Sequence, residues 1–292
     1  MTDTPYAPPV DKLLTYGEAE RTETDQWPDY RELGIGPEHV PELMRLAADP
    51  ELNEADSDSL EVWAPLHAVR ALGQLRAESV IPSLLALLDQ LAGDEWMMHE
   101  IPETIGEIGP AALPTVSVYL ADSSHGLYQH AAAAQALVEI SNRHPEARAD
   151  CIAALMKLLE AYEQNDETMN AFIIGDLAEL KALESLPLIE RAFTADHVDA
   201  MIIGLDDVYV EMGLKEREER PPLSLEEALS EFSKLFASKG EPFDSEIVPP
   251  DFPDYENAPI VDSLPVRASR PVREFKPIKF SRNKSKKKKK RR

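Results

Sequence analysis

The chain has 292 residues, 43% of them hydrophobic, and a formal net charge of −24. Its one cysteine, Cys151, excludes an intrachain disulfide and any zinc site built from several thiolates, which suits a reducing cytosol. No apolar run of about 18 residues is present and the opening MTDTPYAPPVDK is polar, so neither a membrane span nor a secretory leader is expected, and the expected location is cytoplasmic.

The charge is segregated. Residues 267–292 hold 14 of the 30 Lys and Arg but one acid, Glu274, a local +13. The rest of the chain carries −37, so an acidic body is joined to a basic tail.

Residues 1–36 are polar and broken by Pro and Gly, with a short apolar phrase at 10–14 and aromatics at Trp27 and Tyr30. They read as an irregular N-terminal arm, partly docked. A helix is expected from Gly36-Pro37, proline being suited to the first helical position. Its Val40-Pro41 marks it as the surviving helix of a capping repeat, and residues 51–59 read as an acidic loop.

Beyond that loop one unit recurs. A helix-end phrase appears as Leu72-Gly73-Gln74-Leu75, Ile105-Gly106-Glu107-Ile108, Leu137-Val138-Glu139-Ile140, Leu177-Ala178-Glu179-Leu180 and, more weakly, Tyr209-Val210-Glu211-Met212. The spacings are 33, 32, 40 and 32 residues. A second helix opens at Ile81-Pro82, Leu113-Pro114 and Leu186-Pro187. Apolar residues at i and i+3 of each phrase share a helix face, and a small residue between them lets a neighbouring helix approach. The expected fold is all-α: an α-solenoid of four to five helix pairs over residues 37–214.

Ile105-Gly-Glu-Ile-Gly-Pro-Ala-Ala-Leu-Pro114, preceded by Pro102, resembles the HEAT-like repeats of the phycobilisome-lyase type, over roughly residues 37–213. The third copy departs from the pattern, lacking both the glycine and the second-helix proline. The resemblance implies stacked antiparallel helix pairs serving mostly as protein-binding scaffolds; a minority of that family assist bilin attachment.

In residues 215–239, Ser224-Leu-Glu-Glu227 has capping-box spacing and Leu225, Leu229, Phe232 and Phe236 form one apolar stripe. This predicts an amphipathic helix covering the open end of the array. Residues 240–292 are proline-rich and expected to be disordered. Within them Arg267, Arg270, Arg273, Lys276, Lys279 and Arg282 recur every third residue, which would line one edge of a polyproline II strand. Lys279-Phe-Ser-Arg-Asn283 with the following lysines resembles the end of a SEC-C zinc-binding tail, but every cysteine ligand is missing, so no zinc is expected.

No catalytic constellation is expected. His99-Glu-Ile-Pro-Glu103 lacks the second histidine of a zincin helix, and Pro102 is expected to interrupt the helix. His125 and His130 stand five apart, off helical register, the first expected in a loop and the second on a helix. Neither a P-loop nor a dinucleotide-binding glycine motif is present, and Cys151 reads as a core residue. No cofactor, metal or catalytic residue is assigned.

Glu107, Glu139, Glu179 and Glu211 occupy one repeat position, with Gln74 in the first copy, each expected in the last turn of its helix. They are either a solvated row of good helix formers or an acidic track for a basic partner. The resulting expectation is a non-enzymatic scaffold that binds another protein, with a basic tail that supplements binding. The alternatives are a bilin lyase or chaperone, by resemblance, and a nucleic-acid- or ribosome-associated factor acting through the tail. The tail could also pair with the chain's own acidic body; membrane attachment has no supporting signal.

Overall fold

The structure is a computed structural model that describes residues 6–20, 22 and 24–216. The chain divides into two units, Met1–Glu219 and Arg220–Arg292, and every described element lies in the first. The amphipathic stripe at 225–236 and the basic tail fall outside the described residues.

Among the described residues the regular structure is wholly helical. Helices α1 (Val40–Ala47), α2 (Pro50–Asn53), α3 (Ala64–Gln74), α4 (Ile81–Gln90), α5 (Glu95–Ile108) and α6 (Leu113–Leu120) are followed by α7 (Leu127–Arg143), α8 (Arg148–Leu159), α9 (Glu167–Glu179), α10 (Leu186–Thr194) and α11 (Leu205–Glu211). None is long and apolar enough to cross a membrane.

The recurring phrases mark helix ends at α3, α5, α9 and α11. After α3 and α9 the chain turns through Arg76 (φ 48°) and Lys181 (φ 51°). There the amides of Ala77 and Ala182 donate back to the carbonyls of Leu72 and Leu177, at 3.1 and 3.0 Å, satisfying carbonyls the helix leaves open. Helix α7 is different. It runs a turn past its phrase, so Glu139 lies one turn inside the helix and Arg143 becomes its last residue. Each second helix follows a three-residue 3-10 turn, and Pro41, Pro82, Pro114 and Pro187 sit in the first turns of α1, α4, α6 and α10, where a missing N–H costs nothing. Pro102 does not interrupt α5, which continues to Ile108 on both sides of it. A helix packed on both flanks retains enough other hydrogen bonds to absorb the one a proline removes. The expected acidic loop likewise contains a helical turn, α2, whose first amides are capped by Asp49.

Contacts run in two series. Helices α3, α5, α7, α9 and α11 pack each on the next, as do α4, α6, α8 and α10. Two glycines set the closeness of the first series. A Cβ on Gly73 would stand 3.3 Å from the Thr104 side chain, and one on Gly106 would stand 2.6 Å from Glu139 Cβ. Buried leucines and isoleucines, among them Leu72, Ile105, Leu137 and Leu177, join one continuous core from Tyr6 to Met212. Asn170, fully buried on α9, donates to the carbonyls of Tyr162 and His197 and so joins the loops before α9 and after α10.

The arm is more than partly docked. Tyr6, Val10, Leu13, Trp27, Tyr30 and Ile35 are all buried. It forms 3-10 turns at Val10–Thr15, Thr24–Gln26 and Tyr30–Leu33. With so little regular structure of its own, its main-chain groups need partners from the helices they cover.

Candidate functional site

Those partners define the site. On α3, His67, Arg70 and Gln74 are spaced to share a face, and each takes hold of the arm. The Gly17 carbonyl lies 3.0 Å from His67 Nε2 and can only accept, so Nε2 carries the proton. Nδ1 is then free to accept from the Tyr30 hydroxyl at 2.7 Å. Burial lowers the His67 pKa to about 4, opposed in part by the hydrogen bond to Gly17 and helped to a smaller extent by the neighbouring Arg70 charge, so the imidazole is neutral at pH 7. Burial likewise pushes the Tyr30 hydroxyl above its ordinary value. Gln74 accepts from the Tyr30 amide at 3.1 Å and donates to the Pro28 carbonyl at 2.8 Å.

Arg70 makes the deepest contact. Its Nε and Nη2 donate to the two oxygens of Glu100 at 2.9 and 2.6 Å, a bidentate pair whose side chains are 2% and 1% exposed. Nη2 also donates to the Glu20 carbonyl at 2.7 Å, and the guanidinium lies 5.1 Å from the Trp27 ring centroid. Burial works most strongly against the Arg70 charge, but the hydrogen bond and charge of Glu100, joined by Tyr30, together raise the pKa.

A second arginine organises the next step along the face. Arg143, at the end of α7, donates to Glu103 and Glu107 of α5 and to Glu139 of its own helix. These side chains are half-buried, between 12% and 26% exposed. Thr24 of the arm enters this cluster: its hydroxyl donates to Glu107 Oε1 at 2.6 Å and accepts from Arg143 at 3.4 Å. Burial opposes the Arg143 charge too, and Glu139, Glu103 and Glu107 together raise its pKa.

The repeat-position residues are therefore split. Gln74 holds the arm, while Glu107 and Glu139 meet on Arg143. Glu179 and Glu211 lie further along the series on α9 and α11, half-buried. The basic-tail residues Arg267, Arg270, Arg273, Lys276, Lys279 and Arg282 lie outside the described residues. Sequence reasoning missed His67, Arg70, Glu100, Arg143 and Thr24. The zincin-like segment His99–Glu103 held two of the answers, since Glu100 and Glu103 are arginine partners.

Elsewhere, His125 lies in the turn before α7 and stacks on Tyr119 of α6, with ring centroids 3.7 Å apart; its Nδ1 faces Asp89 at 3.0 Å. His130 lies on α7, 5.7 Å from it between ring centroids. A shallow depression of about 240 Å³ beside them is lined by Pro82, Leu85, Thr115, Val118, Tyr119 and Asp122. Burial, and then Asp150, push the Cys151 thiol up to about 11, so it is protonated in its core position. Among the described residues, no group of three or more His, Cys, Asp or Glu side chains could hold a metal ion.

Paired helices packed in series, with a polar face that grips an extended arm by its main chain, define an all-α protein. This chain belongs to the family described as Protein of unknown function (DUF1186), whose model matches residues 66–230, from the first turn of α3 to beyond α11. No curated protein and no solved structure matches it.

Proposed function

We propose that this protein is a non-enzymatic, cytoplasmic interaction scaffold: an α-solenoid of HEAT-like helix pairs that binds a basic segment of another protein along the row of repeat-position carboxylates. The basic tail at 265–292 supplements that binding. The observation that carries the reading is the series of contacts α3–α5–α7–α9–α11, which brings Gln74, Glu107, Glu139, Glu179 and Glu211 onto successive neighbouring helices. A polypeptide crossing the series meets an acid at almost every step. The likeness of the repeat phrases to phycobilisome-lyase HEAT-like units supports the same architecture; bilin attachment has only that resemblance behind it.

Because Glu107 and Glu139 also hold Arg143, charge changes there would mix folding with binding. The far half of the row, Glu179 and Glu211, is tested with the fold of the variant checked by thermal unfolding. Affinity capture with the full chain, after nuclease treatment, is expected to retain a protein partner that the Glu179→Lys/Glu211→Lys variant loses and a chain lacking 265–292 holds more weakly. Recovery of RNA alone, or an identical partner set from wild type and the charge-reversed variant, would contradict the proposal.

A further inference from the structure

The arm between Gly17 and Pro28 lies across the face that this reading gives to the partner. Its hold there is made of uncharged groups. The carbonyls of Gly17, Glu20 and Pro28 accept from His67, Arg70 and Gln74. The Thr24 hydroxyl joins Glu107 and Arg143. Its charge works the other way. Residues 17–28 carry four acids, Glu18, Glu20, Glu23 and Asp25, against one base, Arg21. Below them, Arg70 and Arg143 engage four carboxylates, those of Glu100, Glu103, Glu107 and Glu139. The segment's described charged residues are all acids, Glu18, Glu20 and Asp25, and they are brought to a net-acidic face, where like charges oppose the contact.

The anchoring is uneven along the segment. Val10 and Leu13 before it are buried, as are Ala19 near its start, Trp27 near its end and Tyr30 just after it. Among the other described residues of the segment, the side chains of Glu18, Glu20, Asp25 and Gln26 are exposed, and Thr24 reaches the α5–α7 step. Gly17, at φ 120° and with open space where a Cβ would stand, gives the backbone a pivot at the start.

We propose that the stretch around Thr24, between the Arg70-held carbonyl of Glu20 and the buried Trp27, forms an autoinhibitory strap over the α5–α7 step, which an extended basic segment of a partner displaces while those two anchors stay in place. The proposal rests on the scaffold reading above. It adds that the near half of the acidic row is occupied by the chain itself until a better-charged segment arrives.

The test uses the full chain and a fluorescein-labelled extended peptide with an arginine at every third residue. Binding is read by anisotropy, and strap opening by hydrogen exchange at the amides around Thr24. Thr24→Val removes the hydroxyl contact and should tighten binding about three- to tenfold, the worth of one part-buried hydrogen bond. Its strap amides should exchange faster before any peptide is added. Thr24→Ser, which keeps the hydroxyl, should behave as wild type. Equal affinity of wild type and Thr24→Val overturns the strap and leaves the scaffold reading standing. Binding to neither chain overturns both. Unchanged strap exchange in Thr24→Val overturns the strap whatever the peptide does.

Discussion

Arg70 and Arg143 both stand where the arm meets the helix series, and they solve opposite problems. Arg70 has one bidentate partner, Glu100, and the two side chains are all but removed from solvent. Arg143 is shared among three carboxylates that keep between 12% and 26% of their surface in water. A buried charge must keep its partner or the fold suffers; one that keeps some contact with water can exchange partners with water or a ligand. The first arrangement makes a fixed joint between α3, α5 and the arm, and the second makes a contact that can be remade.

The largest expected effect breaks the fixed joint. Arg70→Met leaves Glu100 buried without its cation and should cost roughly 3–5 kcal/mol in urea unfolding. Arg143→Met should cost less, about 1–3 kcal/mol, because the acids it leaves keep some contact with water. Similar losses for the two would erase the distinction.

Acid should expose the same joint through His67. Its folded pKa of about 4 lies below the ordinary 6.5, so the unfolded chain binds the proton first as pH falls. The neutral imidazole's contribution is present above pH 6.5 and is lost on going down to pH 4, about 3 kcal/mol in all. In His67→Gln this part of the pH dependence should vanish, whereas an unchanged acid limb would place the responsible group elsewhere.

A smaller effect separates the two helix steps. Gly106→Ala drives a methyl into Glu139 and should cost about 1–3 kcal/mol and loosen the Arg143 cluster. Gly73→Ala, whose nearest neighbour is 3.3 Å away, should cost less by thermal unfolding. Smallest of all, Arg76→Gly relieves a left-handed cap and should stabilise by about 1 kcal/mol, with no effect on either arginine.

Much of the helix series was legible in the sequence because repetition amplifies weak local signals. The Leu/Ile-x-x-Leu/Ile phrases located helix ends, and the prolines located second-helix starts. Gly73 and Gly106 were readable as close approaches before any neighbour was known. The site was less legible, for a physical reason. Arg143 occupies no repeat position; it exists at the interface because α7 is longer than its counterparts, and the 40-residue spacing and missing glycine of the third copy were the available signs. Thr24 lies 119 residues from Arg143, and an arm without periodicity gives no clue to where it lands. The repeat-position glutamates were visible as a row, but not the arginine that gathers two of them.

Native-state hydrogen exchange in the wild-type chain tests the contrast most directly, by comparing the amides around Thr24 with the α3 amides around Arg70. The account predicts that the strap opens locally, at a free energy well below global unfolding, while the α3 amides exchange only when the whole unit unfolds. Exchange of both segments at one common free energy would contradict it.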